Sequence, residues 1–168
     1  MEVIVKNINC LNEPYVHFTF DVEKLINQFK LVNEVYKKDA GMFTTIIEGI
    51  KCTDKQSLFE EFSRKLNFPD YFGYNWDAFE ECFTEFGWPE SNKYVLFIKD
   101  FDMICLHDEE ELDTFLECLD SAIKEWIIER DHGAVIFPPT PFHIVIDCNS
   151  DLLTKINLKF GNSKIEMI

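Results

Sequence analysis

Tyr94-Val95-Leu96-Phe97-Ile98 is a run of five apolar residues with no polar residue among them. A strand with one wet face alternates; a run that does not alternate is covered by protein on both faces, as strands inside a parallel sheet are. Phe142–Ile146 reads as a second buried strand, and Thr44–Ile50 is a third β-rich run. Two helical segments separate the 44–50 run from Tyr94, and one long helix separates Ile98 from Phe142. The order strand, two helices, strand, helix, strand implies a small three-stranded parallel sheet with helices packed on it, an α/β unit.

The helices are legible from their caps and stripes. Thr53 and Gln56 stand at capping-box spacing, which predicts a helix from about Asp54 that shows Leu58, Phe62 and Leu66 on one side. Asp108 and Glu111 mark the start of the long helix, whose core stripe is Leu112, Phe115, Leu116, Leu119, Ala122, Ile123, Trp126 and Ile127. The acids at that start suit the positive end of the helix dipole and read as a cap rather than a site. Ala134–Phe137 is a short apolar run stopped by Pro138, Pro139 and Pro141.

The two ends of the chain read as β-rich extensions. Val3–Ile8 and Tyr15–Phe20 are strand-like, with Asn12-Glu13-Pro14 as the turn between them. A helix over 22–38 follows, with Val22, Leu25, Ile26, Phe29, Val32 and Val35 at apolar spacing, and Asp39-Ala40-Gly41 breaks it. At the far end Lys155–Phe160 and Lys164–Met167 read as strands around the hairpin signal Gly161-Asn162. The expected organisation is an extension over 1–42, a core domain over 43–148 and a hairpin extension over 149–168. Since a lone hairpin is marginal in water, the two hairpins are expected to pair in a small antiparallel unit.

Charge and composition narrow the function. A net charge of −15 repels phosphate, which argues against nucleic acid and anionic membrane and for a basic partner. No run of 18 apolar residues is present, so no membrane span is expected. Met-Glu-Val-Ile-Val-Lys lacks the basic start and apolar run of an export signal. Cys10, Cys52, Cys82, Cys105, Cys118 and Cys148 are scattered without paired metal spacing, the pattern of reduced thiols in a cytoplasmic protein. His17, His107, His132 and His143 are spread out, none beside a Cys or acid at nucleophile-and-base spacing. No Gly-rich phosphate loop and no His-Glu-x-x-His pair occurs, so no catalytic residue, metal or cofactor is expected.

The stretch from Leu66 to Phe83 carries the most information. Pro69 and Gly73 punctuate an aromatic turn, and Asn75 then caps a helix. Phe79, Cys82, Phe83 and Phe86 form its apolar stripe; Asp77, Glu80, Glu81 and Glu85 fall on the other side, ended by Gly87-Trp88-Pro89. Taken alone, Asp77, Glu80 and Glu81 read as a solvated helix face, Phe72 and Trp76 as inward-packing rings, Gly73 as a positive-φ turn residue, and Tyr71 and Tyr74 as anchors of the kind found at interfaces.

Leu66, Pro69, Tyr71, Gly73, Asn75, Asp77, Ala78 and Cys82 stand together in an ungapped pattern that resembles the barstar family, intracellular inhibitors of the ribonuclease barnase. The similarity extends more weakly over about residues 43–148. It implies a barstar-like fold for the core and a protein partner, a basic ribonuclease or related nuclease toxin, for a non-enzymatic immunity protein. By resemblance the contact surface holds Tyr71, Gly73, Asn75, Asp77, Glu80 and Glu81, and Trp76 completes the candidate partner-binding set. Asp77 keeps the family's aspartate. Glu81 stands where the family has its phosphate-mimicking aspartate, and Glu80 replaces an aromatic residue. A further acidic contact from the last helix falls nearest Asp120 or Ser121. Two other readings stay open: an interaction module with no nuclease target, and a hydrolase using Asp77 and Glu81, disfavoured because one helical turn sets both on a convex surface.

Overall fold

The unalternating runs form the middle of one sheet. The computed structural model describes residues 7–36, 41–86, 91–131, 133, 135–161 and 165–168. In chain order the elements are β1 (Val16–Thr19), α1 (Val22–Tyr36), β2 (Met42–Glu48), α2 (Lys55–Leu66), α3 (Trp76–Glu81), β3 (Lys93–Lys99), α4 (Glu109–Trp126), β4 (Arg130–Asp131), β5 (Ile136–Phe137), β6 (Phe142–Asp147), α5 (Ser150–Phe160) and β7 (Ile165–Met167). The spatial order is β2-β3-β6-β1-β7, and β4 and β5 form a separate two-residue ladder. Every neighbouring pair in the five-stranded sheet is parallel: Met42 pairs with Lys93, Tyr94 with Phe142, Val16 with Ile144 and Val16 with Ile165.

The three strands expected of the core, β2, β3 and β6, are adjacent and parallel. The sheet has five strands because β1 joins beside β6 and β7 beside β1. The expected antiparallel unit is therefore corrected: the two ends do pair, but in parallel and within the main sheet. Lys155–Phe160 is not a strand but the second half of α5. Its local alternation, Ile156 and Leu158 against Lys155, Asn157 and Lys159, also fits a helix once Leu152 and Leu153 are included. Asn149 caps that helix by accepting the Leu152 N–H at 2.9 Å, and Ile156 and Phe160, one turn apart, are buried. Gly161, φ +83°, follows its last residue, so it ends a helix instead of turning a hairpin. Residues 3–6 of the first expected strand lie outside the described residues, and its end, Ile8, sits in a turn in which the Cys10 N–H donates to the Asn7 carbonyl at 2.9 Å.

Alternate residues of the inner strands face two helical layers. Val95, Phe97 and Val145 meet Leu25 and Val32 of α1, while Leu96, Ile98, Phe142, Ile144 and Ile146 meet the helices α2 to α5. The capping box of α2 lies one residue from its expected place. Asp54 accepts the Ser57 N–H at 2.9 Å, and Ser57 Oγ accepts the Asp54 N–H at 3.2 Å. Beyond β2 the chain passes so close to the end of β3 that a Cβ on Gly49 would lie 2.1 Å from the Asp100 carbonyl oxygen. Only glycine fits there.

His17 and His143 tie β1 to β6 on the α1 side. Both are fully buried, with His17 Nε2 3.1 Å from His143 Nδ1. His143 Nε2 donates to the Cys10 carbonyl at 3.1 Å, so its Nδ1 accepts from His17. Burial pushes His17 down to about 3, with His143 adding to the effect, and burial pushes His143 down to about 4. The folded protein thus holds fewer protons than the unfolded chain below the ordinary histidine range. Stability is complete above about pH 6.5 and falls below it, by up to about 1.4 kcal/mol per pH unit for each histidine until its folded value is reached. Urea midpoints should drop between pH 7 and pH 5 while the ¹⁵N shifts of both rings stay those of neutral imidazole; rings that titrate near 6.5 in the folded protein would contradict this.

Candidate functional site

The segment between α2 and β3 is assembled almost entirely by aromatic packing. α2 ends at Asn67 in the left-handed conformation, φ +58°. Phe68 and Phe72 then turn inward, with the Phe72 N–H donating to the Pro69 carbonyl at 2.9 Å. The expectation that Gly73 supplies a positive φ is corrected: the left-handed residue is its neighbour Tyr74, φ +50°. Gly73 instead leaves room for a neighbouring side chain. The Asn75 amide donates to the Gly73 carbonyl at 3.2 Å, and a Cβ on Gly73 would lie 2.9 Å from that amide nitrogen. Asn75 caps α3 as expected, accepting the Ala78 N–H at 2.9 Å.

α3 has six residues, too few to hold a helix together unaided. Its centre is fixed by Phe79, which is fully buried and lies 5.3 to 6.2 Å from the rings of Phe59, Phe62, Phe68, Trp76, Phe83 and Phe115. Beyond Glu81 the helix widens into a π turn, Cys82–Phe86. Carbonyls there are taken by side chains from elsewhere. The Trp126 indole donates to the Phe83 carbonyl at 3.2 Å, and Arg130 Nη1 donates to the Thr84 carbonyl at 3.1 Å. The Arg130 guanidinium lies 4.1 Å over the Trp126 ring. At the other end Trp76 is half-buried, edge-on to Phe59 at 4.9 Å, and its indole donates to Glu111 Oε2 at 2.5 Å. Glu111 Oε1 accepts from Lys55 at 2.5 Å, and this ion pair, with the indole, holds the Glu111 carboxyl below the usual carboxylate range.

Asp77, Glu80 and Glu81 are exposed on the outer side of α3. Tyr71 and Tyr74 are exposed beside them, Tyr71 by 75%. Between α3 and α4 lies an open cleft of about 470 Å³ lined by Asp77, Glu80, Glu81, Thr84, Ser121, Lys124 and Glu125. Its one lysine turns to Asp120 at 2.5 Å. Of the two positions expected nearest a last-helix contact, Ser121 reaches the cleft and Asp120 is buried; the carboxylate that faces Asp77 and Glu81 is Glu125. Sequence reasoning missed Glu125, and it missed Lys55, Trp126 and Arg130 as the parts that hold α3 in place. Glu111 was visible only as a capping acid.

The chemistry of the cleft is that of fixed negative charge. The thiols behind it are not nucleophiles: burial, with Glu81, pushes Cys82 up to about 11, and burial, with Glu80 and Glu117, pushes Cys118 up to about 12. Among the described residues no group of three or more His, Cys, Asp or Glu side chains is placed to hold a metal ion. Among them, too, no helix is long and apolar enough to cross a membrane. The crevice at the carboxyl ends of the strands, where parallel sheets commonly take phosphate ligands, is closed to an anion at β1. Only Phe20 and Asp21 join β1 to α1, and the Asp21 carboxylate itself accepts the Glu23 N–H at 2.9 Å.

The family model described as barstar (barnase inhibitor) matches residues 42–138, more than half of the chain. A comparison with curated proteins finds no match. Among solved structures the chain is similar in fold to the Aeropyrum pernix ORC2 protein, in ADPNP-ADP complexes, with a TM-score of 0.53 at 7% identity over 99% of this chain and 43% of that one. It is similar also to a chain of Drosophila ORC bound to DNA, with a TM-score of 0.51 at 13% identity over 99% of this chain and 27% of that one. The chain thus spans less than half the length of these structures, and at such identities the likeness is one of fold alone.

The packing around α3 makes two measurable demands. Asn75→Ala removes the cap and should cost about 1 kcal/mol in urea unfolding, with Asn75→Asp, which keeps the cap but loses the amide's bond to the Gly73 carbonyl, between the two. Phe79→Ala empties the centre of the ring cluster and should cost about 3–5 kcal/mol.

Proposed function

The chain belongs to the barstar family, and from that premise we propose that it is a non-catalytic inhibitor of a basic ribonuclease or related nuclease toxin, an immunity protein acting in the cytoplasm that makes the toxin. The observation that carries this reading is the acidic cleft: Asp77, Glu80 and Glu81 on one side, Glu125 on the other, and the one lysine drawn away to Asp120. A nuclease active site is a cationic pocket for phosphate. A carboxylate on a fixed element takes the place of that phosphate and accepts hydrogen bonds from arginine, lysine and histidine. Glu81 and Asp77 have that role here, and Glu125 supports them from α4.

Tyr71 and Tyr74 flank the acids as apolar anchors, and Gly73 and Asn75 shape the turn that presents them. Trp76 belongs to the same surface by position, although most of its contacts face the protein. Glu80 adds charge where the family has an aromatic ring, and Glu81 reaches one methylene further than an aspartate would. The cognate toxin therefore differs from barnase at the matching positions. The net charge of −15 steers a cationic enzyme towards this face, the effect documented for the barnase and barstar pair itself. An interface of ordinary size buries about 800 Å² on each partner, which the turn, α3 and the facing side of α4 are suited to supply. The segments outside 43–148 brace the core by adding β1, α1, α5 and β7 to it.

Titration into a barnase-type ribonuclease assay tests this directly. Stoichiometric inhibition is expected, weakened most by Glu81→Ala and next by Asp77→Ala, each by about 2–5 kcal/mol, since a desolvated cation is left unpaired on the enzyme. Glu125→Ala should have a smaller effect. Full inhibition by the Glu81 and Asp77 variants would refute the assignment of the phosphate mimic. Loss of turnover in any substrate assay on Asp77→Asn would instead favour a hydrolase.

A further inference from the structure

Glu111 stands where the first turns of three helices converge. Lys55 is the first residue of α2, Trp76 the first of α3, and Glu111 the third of α4. One carboxylate joins them, with Oε1 accepting from Lys55 Nζ and Oε2 from the Trp76 indole, both at 2.5 Å. Its own backbone N–H is held by Asp108 Oδ1 at 3.2 Å. Asp108 and Cys105 lie just before α4, Lys55 faces Glu111 from the start of α2, and Asp54 beside it lies near Cys105.

α3 needs such a tie. Its far end is held by Trp126 and Arg130 and its middle by Phe79, whereas its near end has the Asn75 cap and the Trp76–Glu111 bond. Across the cleft, Asp77, Glu80 and Glu81 face Glu125, and like charges push α3 away from α4. A neutral indole N–H on one helix and a carboxylate on the other draw them together without adding a charge to α3. Asp77 is the residue next to Trp76, so whatever fixes the ring fixes that carboxylate.

We propose that Glu111 is a positioning residue: through the Trp76 indole it holds the first turn of α3 against α4 and sets where Asp77 stands. Its importance for binding rests on the inhibitor reading above; its effect on α3 does not. The role differs from that of a residue that only stabilises the fold, because it acts on one turn.

The test uses the whole protein and three variants: Glu111→Gln, Glu111→Ala and Trp76→Phe, the last keeping the ring against Phe59 and Phe79 without its N–H. Amide hydrogen exchange should quicken about tenfold over residues 78–81, the hydrogen-bonded amides of α3, in Trp76→Phe and Glu111→Ala, and less in Glu111→Gln, whose amide oxygen still accepts. Exchange over 94–98 in β3 should be unchanged. The indole N–H resonance of Trp76, identified by its loss in Trp76→Phe, should titrate in acid with the Glu111 carboxyl, below the usual carboxylate range. Combining Glu111→Ala with Trp76→Phe should add nothing to the larger single effect. Unchanged exchange over 78–81, or exchange that quickens equally in β3, overturns the proposal. With a barnase-type ribonuclease as probe, Glu111→Ala, which changes none of the contact residues, should dissociate about tenfold faster than the wild type; equal dissociation rates also overturn it. Failure of the wild type to bind that enzyme counts against the inhibitor reading, and the exchange result then decides the positioning role.

Discussion

The rings packed around Phe79 are the constraint on which the rest depends. A six-residue helix cannot pay the entropy of its own nucleation, so α3 exists because Phe79 is driven into a cluster supplied by α2, the preceding turn and α4. Burying this one side chain sets the position of everything beside it. Phe79 points inward, so Asp77, Glu80 and Glu81 point outward. The function ascribed to the acids and the stability of the core are two faces of one helix turn.

A charged surface built on so short a helix has a mechanical problem. The carboxylates repel one another and Glu125 across the cleft, and binding to any rigid partner rewards a fixed arrangement over a loose one. Both ends of the segment are pinned to groups outside it, through a neutral indole at each end and a buried guanidinium at the far one. The indole of Trp76 reaches Glu111 at the start, and the carbonyls of Phe83 and Thr84 receive the Trp126 indole and the Arg130 guanidinium at the end. The π turn exposes those carbonyls to outside donors.

The ends of the chain show where reading from sequence fails and why. Lys155–Phe160 satisfies a period of two over six residues and a period of 3.6 over eleven, and the longer pattern, with Asn149 as its cap, is the one that buries Ile156 and Phe160. Val16–Thr19 reads as a strand from its residues, but nothing in them says whether the neighbour is β6 in parallel or another hairpin. Pairing is decided by which edge of the sheet remains open. Gly73 shows a subtler failure: a glycine in a turn suggests positive φ, whereas here Tyr74 takes that conformation and Gly73 makes room for the Asn75 amide.

By itself the sequence determined the inner strands, the helix caps at Asn75 and Asp108, the family, and the acids that share one side of α3. Each of these is a property of neighbours within a few residues, set by periodicity, capping chemistry or an ungapped motif. Only the tertiary structure decided that the sheet has five parallel strands, that Glu125 and not Asp120 faces the cleft, and that Glu111 reaches Trp76 and Lys55. Those outcomes depend on which surfaces meet when the helices dock on the sheet. Helix α4 alone gives no sign of which of its acids will find a lysine, an indole or open water.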